Sequence, residues 1–333
     1  MQNNDQTRTP LAVVMVPLPA QGHLNQLLHL CRLISAYDIP VHFAGTTTHN
    51  RQALIRVQGW DPLAVANIKF HNLPTPPFDN PPPNPNSCIK YPTHMLPLLK
   101  SVPNLREPVY NLVKKLSATV GKIVVIYDSL MTYVVQDICS IPNAESYCFQ
   151  TISAFSLYSL YQADKEQLVL PSEAEIVKEG PSFEGCFPPE LVEVSINLNV
   201  APKFNSGDLY NTSRVIEGLY VDLLAKEKCT GTDKNWAIGP FNPVTIPRVR
   251  DPKICHKCLD WLDKQEPNSV IYVSFGLSSS LSYEQNKELA FGLERRDEIR
   301  KRATELEDVV KKSLMEGGVT KKEMDSFIAH ISK

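Results

Sequence analysis

His23 and Asp128 stand where side chains of their types do acid–base work in this 333-residue chain. His23 follows an apolar run, residues 11–16, of the length of a strand buried on both faces. Pro17 and Pro19 end that run, because proline lacks the N–H that a central ladder needs. From Gly22 onward the period changes, and Leu24, Leu27, Leu28 and Cys31 fall on one face of a helix. His23 is therefore expected in a strand-to-helix turn, at the carboxyl end of a parallel strand, where α/β sheets bind ligands. An imidazole there, with an ordinary pKa of about 6.5, is mostly neutral near pH 7 and able to accept a proton. A surface histidine in a tight turn accounts for the same pattern. Asp128 closes a second buried run, residues 122–127, and so belongs to the same rim. It is also the residue type that caps a following helix, here LMTYVVQDIC.

The elements that must hold these residues alternate along the chain. Residues 41–44 read as a short buried strand, and TTTHNRQALIRV as a loop capping a second helix, with Thr48 and Asn50 as N-cap candidates. Residues 68–73 are a strand. The segment 74–87, PTPPFDNPPPNPNS, is a proline-stiffened loop that serves either as a pocket wall or as a tolerated insertion. Residues 96–116 are helical, with interruptions at Pro103 and Pro108. A strand over 144–150 leads into a helix carrying Phe155, Tyr158 and Tyr161. Residues 164–205 hold weak helices and loops, and 207–221 run from strand into helix. The chain divides into a first domain over 1–240, a proline-rich linker over 241–254, a short segment over 255–294 and a helical tail over 295–333. Within 255–294 a helix over 258–265, a buried strand over 269–275 and a helix over 281–294 are expected.

Composition narrows the function. A net charge of −2 gives no electrostatic reason to expect nucleic acid or an anionic membrane. The start, MQNNDQTRTP, lacks the basic and apolar regions of a signal peptide, and no apolar run reaches the length of a membrane span. A cytoplasmic location is expected, with the eight cysteines as reduced thiols. Cys255 and Cys258 have CxxC spacing around His256, but no second pair follows and an amphipathic helix begins there, so no metal is expected. No G-x-G-x-x-G follows any strand, which argues against a nucleotide-dependent oxidoreductase.

The segment 17–34, PLPAQGHLNQLLHLCRLI, resembles the first loop and helix of the plant UDP-sugar-dependent glycosyltransferases. IPVHFAGTTTHNRQA, with GWDPLA after it, is similar to the branch that glycosylates the side-chain hydroxyl of zeatin, a cytokinin. Further matches at VVIYDSLM, SIPNAESY, LYNTSRVIEG and CLDWLDKQEPNSVIYVSFG extend the resemblance over most of residues 10–293. It implies an α/β fold of GT-B type, with a complete N-terminal Rossmann-like domain that binds the acceptor and a truncated C-terminal Rossmann-like domain for the donor. It implies inverting transfer of glucose or xylose from UDP-glucose or UDP-xylose to a small zeatin-like alcohol, by a monomer that uses no cofactor. The family's catalytic His–Asp pair matches His23 and Asp128. Gln21, Gly22 and Phe155 fall in acceptor-binding segments, and Gly276 and Ser278 on a donor-binding loop.

One family feature is missing from the sequence. The donor box of the family opens with tryptophan and glutamine and contains a His-Cys-Gly-Trp-Asn-Ser run. Here no tryptophan follows Trp261, no cysteine follows Cys258, and the sole histidine beyond His256 is His330. AFGLE runs straight into a charged tail similar to the family's final helices, so an internal deletion joined near Glu294 is expected. Two outcomes follow: a transferase of the zeatin O-glucosyltransferase type, or a non-catalytic remnant that at most binds an acceptor-like small molecule.

Overall fold

The computed structural model describes residues 9–57, 60–76, 95–164, 189–190, 193, 204–241, 257–267, 269–273, 283–292 and 296–333. Seven strands, β1 (Thr9–Val16), β2 (Val41–Thr46), β3 (Ile68–Leu73), β4 (Val120–Asp128), β5 (Ala144–Gln150), β6 (Asn205–Tyr210) and β7 (Asn235–Ala237), form one sheet. Their order is β3-β2-β1-β4-β5-β6-β7, and all pairs are parallel. The apolar runs of the sequence are strands with two buried faces. Val13 and Met15 of β1 and Val124 and Ile126 of β4 point to one layer. Val14 and Val16, with Val125 and Tyr127, point to the other.

The first layer is α1 (Gln21–Ser35) laid along the sheet, with Leu24, Leu27, Leu28, Cys31 and Ile34 buried. The second is α4 (Arg106–Ser117), entered through α3 (Leu96–Ser101) and a 3-10 turn over Val102–Leu105. Pro103 lies in that 3-10 turn and Pro108 in the first turn of α4, so each proline occupies a position where its missing N–H costs nothing. Two further helices, α6 (Ala154–Asp164) and α7 (Arg214–Lys226), pair over Tyr210 and Ala237.

Several local expectations are corrected. The N-cap of α2 (Thr47–Arg56) is Thr46, whose hydroxyl accepts from the His49 N–H at 3.3 Å. Asn50 instead donates to Gly45 O, His71 O and Asn72 Oδ1 at 3.2, 2.9 and 2.8 Å, tying α2 to the ends of β2 and β3. A Cβ on Gly45 would come within 2.4 Å of Asn50 Oδ1, so a side chain there would displace the Asn50 amide. LMTYVVQDIC is not one helix but a 3-10 turn over Ser129–Met131, a single turn α5 (Thr132–Val135) and a second 3-10 turn over Gln136–Ser140. The side chains of Thr132, Gln136, Cys139 and Ser140 each donate to the carbonyl three residues back, competing with the helical ladder.

The strand expected over 269–275 is not formed in its described part, 269–273, where Val270, Ile271, Tyr272 and Val273 are 37% to 87% exposed. A strand exists where a neighbour takes its N–H and C=O groups, and no described strand lies beside this one. Around it stand α8 (Lys257–Leu262) and α9 (Tyr283–Gly292). The tail forms α10 (Arg296–Leu314) and α11 (Val319–Ile331). Met324, Phe327 and Ile331 of α11 are buried in the same layer as α1. Polar bonds fix the docking: Ser213 Oγ to Thr320 Oγ1 at 2.7 Å, Arg214 Nε to Glu323 Oε1 at 2.7 Å, and Tyr37 OH to Asp325 Oδ1 at 2.6 Å. Most of the proline-rich loop, most of 164–205 and nearly all of the linker lie outside the described residues.

Candidate active site

The order of the strands decides where ligands can reach the sheet. Chain connections run from β1 to β2 on one side, and then return to β4 on the other. The carboxyl ends of β1 and β4 therefore border the crevice at which the winding reverses, the binding position of doubly wound sheets. His23 follows β1 as the third residue of α1, and Asp128 is the last residue of β4. The two meet across the crevice, with His23 Nδ1 2.6 Å from Asp128 Oδ2.

The carboxylate of Asp128 is fully buried and the imidazole is one-quarter exposed. Oδ1 of Asp128 accepts from the Leu130 N–H at 3.0 Å, capping the 3-10 turn, while Oδ2 faces the ring. The cap and the partner of histidine, weighed as alternatives from the sequence, are thus two ends of one side chain. With Asp128 ionised, Nδ1 carries the shared proton and Nε2 keeps a lone pair. Burial pulls the His23 pKa down, but the charge of Asp128 and its hydrogen bond outweigh that and hold it above the ordinary value.

The N-terminus of α1 has Ala20 as N-cap with no side-chain cap, and no acidic residue in its first turn. Gln21 accepts from Arg56 Nη1 at 2.9 Å and donates to Asn25 Oδ1 at 2.7 Å. Nothing lies within 4 Å of where a Cβ on Gly22 would stand, so the rim beside His23 is open at that position. Phe155 is at the start of α6; its ring meets Tyr220 edge-on at 5.1 Å and its N–H donates to Glu217 Oε1. Gly276 and Ser278 lie outside the described residues.

A further set of contacts escaped the sequence reading. Gln26, one turn after His23, donates to Thr151 O at 3.4 Å and accepts from Asn211 Nδ2 at 3.0 Å. Asn211 Oδ1 in turn accepts from the Phe241 N–H at 3.0 Å. These bonds tie the helix that carries His23 to the ends of β5, β6 and β7. Nothing in the sequence marks them beyond polar residues standing beside an apolar stripe.

Residues 9–243 match a family described as glycosyltransferase, N-terminal domain. The chain belongs to this glycosyltransferase family. It is 45% identical over 287 residues to the zeatin O-glucosyltransferase of Phaseolus lunatus, covering 86% of this chain and 60% of that one. It is 44% identical over 295 residues to the zeatin O-xylosyltransferase of Phaseolus vulgaris, with 88% and 62% covered. The chain therefore spans about three-fifths of the length of those relatives. Solved structures share its fold. The Glycyrrhiza uralensis UGT73P12 complexed with glycyrrhetinic acid 3-O-monoglucuronide aligns with a TM-score of 0.61 at 21% identity, over 86% of this chain and 61% of that one. The Phytolacca americana UGT2 complexed with UDP-2fluoro-glucose and pterostilbene aligns with a TM-score of 0.56 at 22% identity, over 86% and 64%. No described helix is long and apolar enough to cross a membrane.

Proposed function

We propose that this chain carries the acceptor-binding and base-bearing half of an inverting UDP-sugar O-glycosyltransferase of the zeatin O-glucosyltransferase type. The domain division and the roles of the site residues are part of the same proposal. The observation that carries it is the His23–Asp128 contact of 2.6 Å on an open rim at the switch point. In this scheme the acceptor hydroxyl faces His23 Nε2. As its oxygen bonds to the anomeric carbon, its proton passes to Nε2 and the bond from that carbon to the diphosphate breaks, the electron pair leaving with UDP. Asp128 stays ionised, holds the Nδ1–H tautomer and stabilises the imidazolium. Gln21 and Gly22 border the acceptor, and Phe155 shapes the pocket from α6. The donor is a substrate, UDP-glucose or UDP-xylose, and the cytosol is the compartment.

A second reading is favoured by the length of the chain relative to its relatives: a remnant that binds an acceptor but transfers no sugar. The donor contacts absent from the sequence decide its weight. Charge-assisted bonds to a diphosphate are worth roughly 1.5–3 kcal/mol each, and an aromatic stacked on the base adds about 0.5–1.5 kcal/mol. Losing several removes as much free energy as a micromolar affinity contains, about 8 kcal/mol. Little or no transfer is expected from the chain alone, with acceptor binding retained. Purified protein is incubated with zeatin and radiolabelled UDP-glucose or UDP-xylose beside a full-length relative, while calorimetry follows zeatin binding. Turnover within about tenfold of the relative would overturn the expected loss of the donor half. Absence of zeatin binding would overturn the proposed acceptor half.

A further inference from the structure

The opposite end of the sheet holds a second cavity. It occupies about 540 Å³ at the amino ends of β4, β5 and β6, whereas His23 and Asp128 stand at the carboxyl ends. Its walls bring together Lys122, Lys234, Lys333 and His330, from the start of β4, the loop before β7 and the end of α11. Facing them is one side-chain carboxylate, Glu145, and it is already engaged. Its Oε2 accepts from Lys122 Nζ at 3.0 Å and from Tyr147 OH at 2.9 Å. Lys234 and Lys333 have no carboxylate partner among the described residues. Ser206 adds a hydroxyl to the wall.

His330 reports on this field. Its ring stands edge-on to Tyr147 at 6.0 Å and tilted against Trp236 at 5.1 Å. Burial, followed by the charge of Lys234, holds its pKa below the ordinary value; Lys122 and Lys333 act in the same sense and Glu145 against them. A concavity with ammonium groups that no described side-chain carboxylate pairs, and an imidazole that would gain a proton beside an anion, has the chemistry of an oxyanion site.

We propose that this cavity binds a phosphate-class oxyanion, either free phosphate or the phosphate of a small monoester, at a site separate from the proposed transfer site. Bound, the anion bridges Lys234 and Lys333 and accepts from protonated His330. The proposal stands independently of the glycosyl-transfer reading, since no residue is shared between the two sites.

The test follows the His330 imidazole C2–H resonance of the intact chain while inorganic phosphate or glycerol phosphate is added. Ionic strength is matched throughout with chloride, because salt alone screens the lysines and raises the His330 pKa. The expected result is a saturable shift with a higher His330 pKa in the bound state, and at least about a tenfold loss of affinity in a Lys234→Gln, Lys333→Gln double variant. Both lysines are exposed, so the variant keeps its fold. Tighter binding of glycerol phosphate would identify a phosphorylated metabolite as the ligand, and equal binding the free anion. A shift reproduced by chloride, or an unchanged affinity in the double variant, would overturn the proposal.

Discussion

With Nδ1 of His23 donating to Asp128, the lone pair on Nε2 is the ring's basic site, and no described side chain occupies it. Replacing Asp128 by asparagine keeps an oxygen for the Leu130 N–H but turns an NH₂ toward Nδ1. The ring then has to accept there, which moves its proton to Nε2 and removes the base. The same change strips away the charge that holds the His23 pKa up and leaves only the burial that pulls it down. In proton NMR of the intact chain, His23 should titrate above 6.5, and Asp128→Asn should lower that pKa, leaving burial to dominate. An unchanged titration would show that the carboxylate does not govern the ring. The sequence made each residue's position legible, because strand ends and helix starts are marked by period and by proline. That both functions of Asp128 act together was not legible, since one residue name does not say where two oxygens point.

At the scale of elements, β1 and β4 were readable because burial on both faces leaves continuous apolar runs. β7, three residues long, offered too short a run to announce itself as a strand. The short turns after β4 were misread because side-chain bonds to the carbonyl three residues back are invisible in a hydrophobic pattern. The resemblance marked the tail only as similar to the family's final helices, and the structure docks α11 on the first layer through Phe327. That ring is fully buried and packs edge-on against Tyr147 at 5.4 Å and Trp236 at 5.3 Å. Phe327→Ala should destabilise the chain by about 3–5 kcal/mol, the range for a large ring deleted from a core. Urea unfolding measures this directly. A loss under about 1 kcal/mol would mean that α11 is not part of the cooperative core.

Across the whole molecule, histidines make stability depend on pH. His42 Nδ1 lies 2.7 Å from His71 Nε2, and burial, then the charges of His71 and Lys69, push the His42 pKa down to about 4. His29, His49, His71 and His330 are also lowered, burial being the largest cause for each. A histidine with a depressed folded pKa contributes stability that is present above about 6.5 and lost as pH falls toward the folded value. Buried Asp208, raised to about 6 chiefly by desolvation, acts in the opposite sense between pH 6 and its unfolded value of about 4. Five histidines against one aspartate favour a net loss, with His42 the most strongly lowered of them. His23 is raised, so its contribution is present below 6.5 and fades as pH rises through its folded value. Denaturant midpoints measured from pH 7.5 to 4.5 should therefore peak near neutrality and fall toward acid; a midpoint that rose steadily on acidification would contradict this balance.

The claim on which the rest depends is that His23 is the base of a transfer reaction for which this chain supplies one half. It is tested most directly by grafting the absent donor segment from a full-length relative into the chain and comparing His23→Ala with the grafted parent on zeatin and UDP-glucose. Loss of a general base predicts a turnover roughly 10²- to 10⁴-fold lower; a His23→Ala chimera that glycosylated zeatin at the parent rate would contradict it.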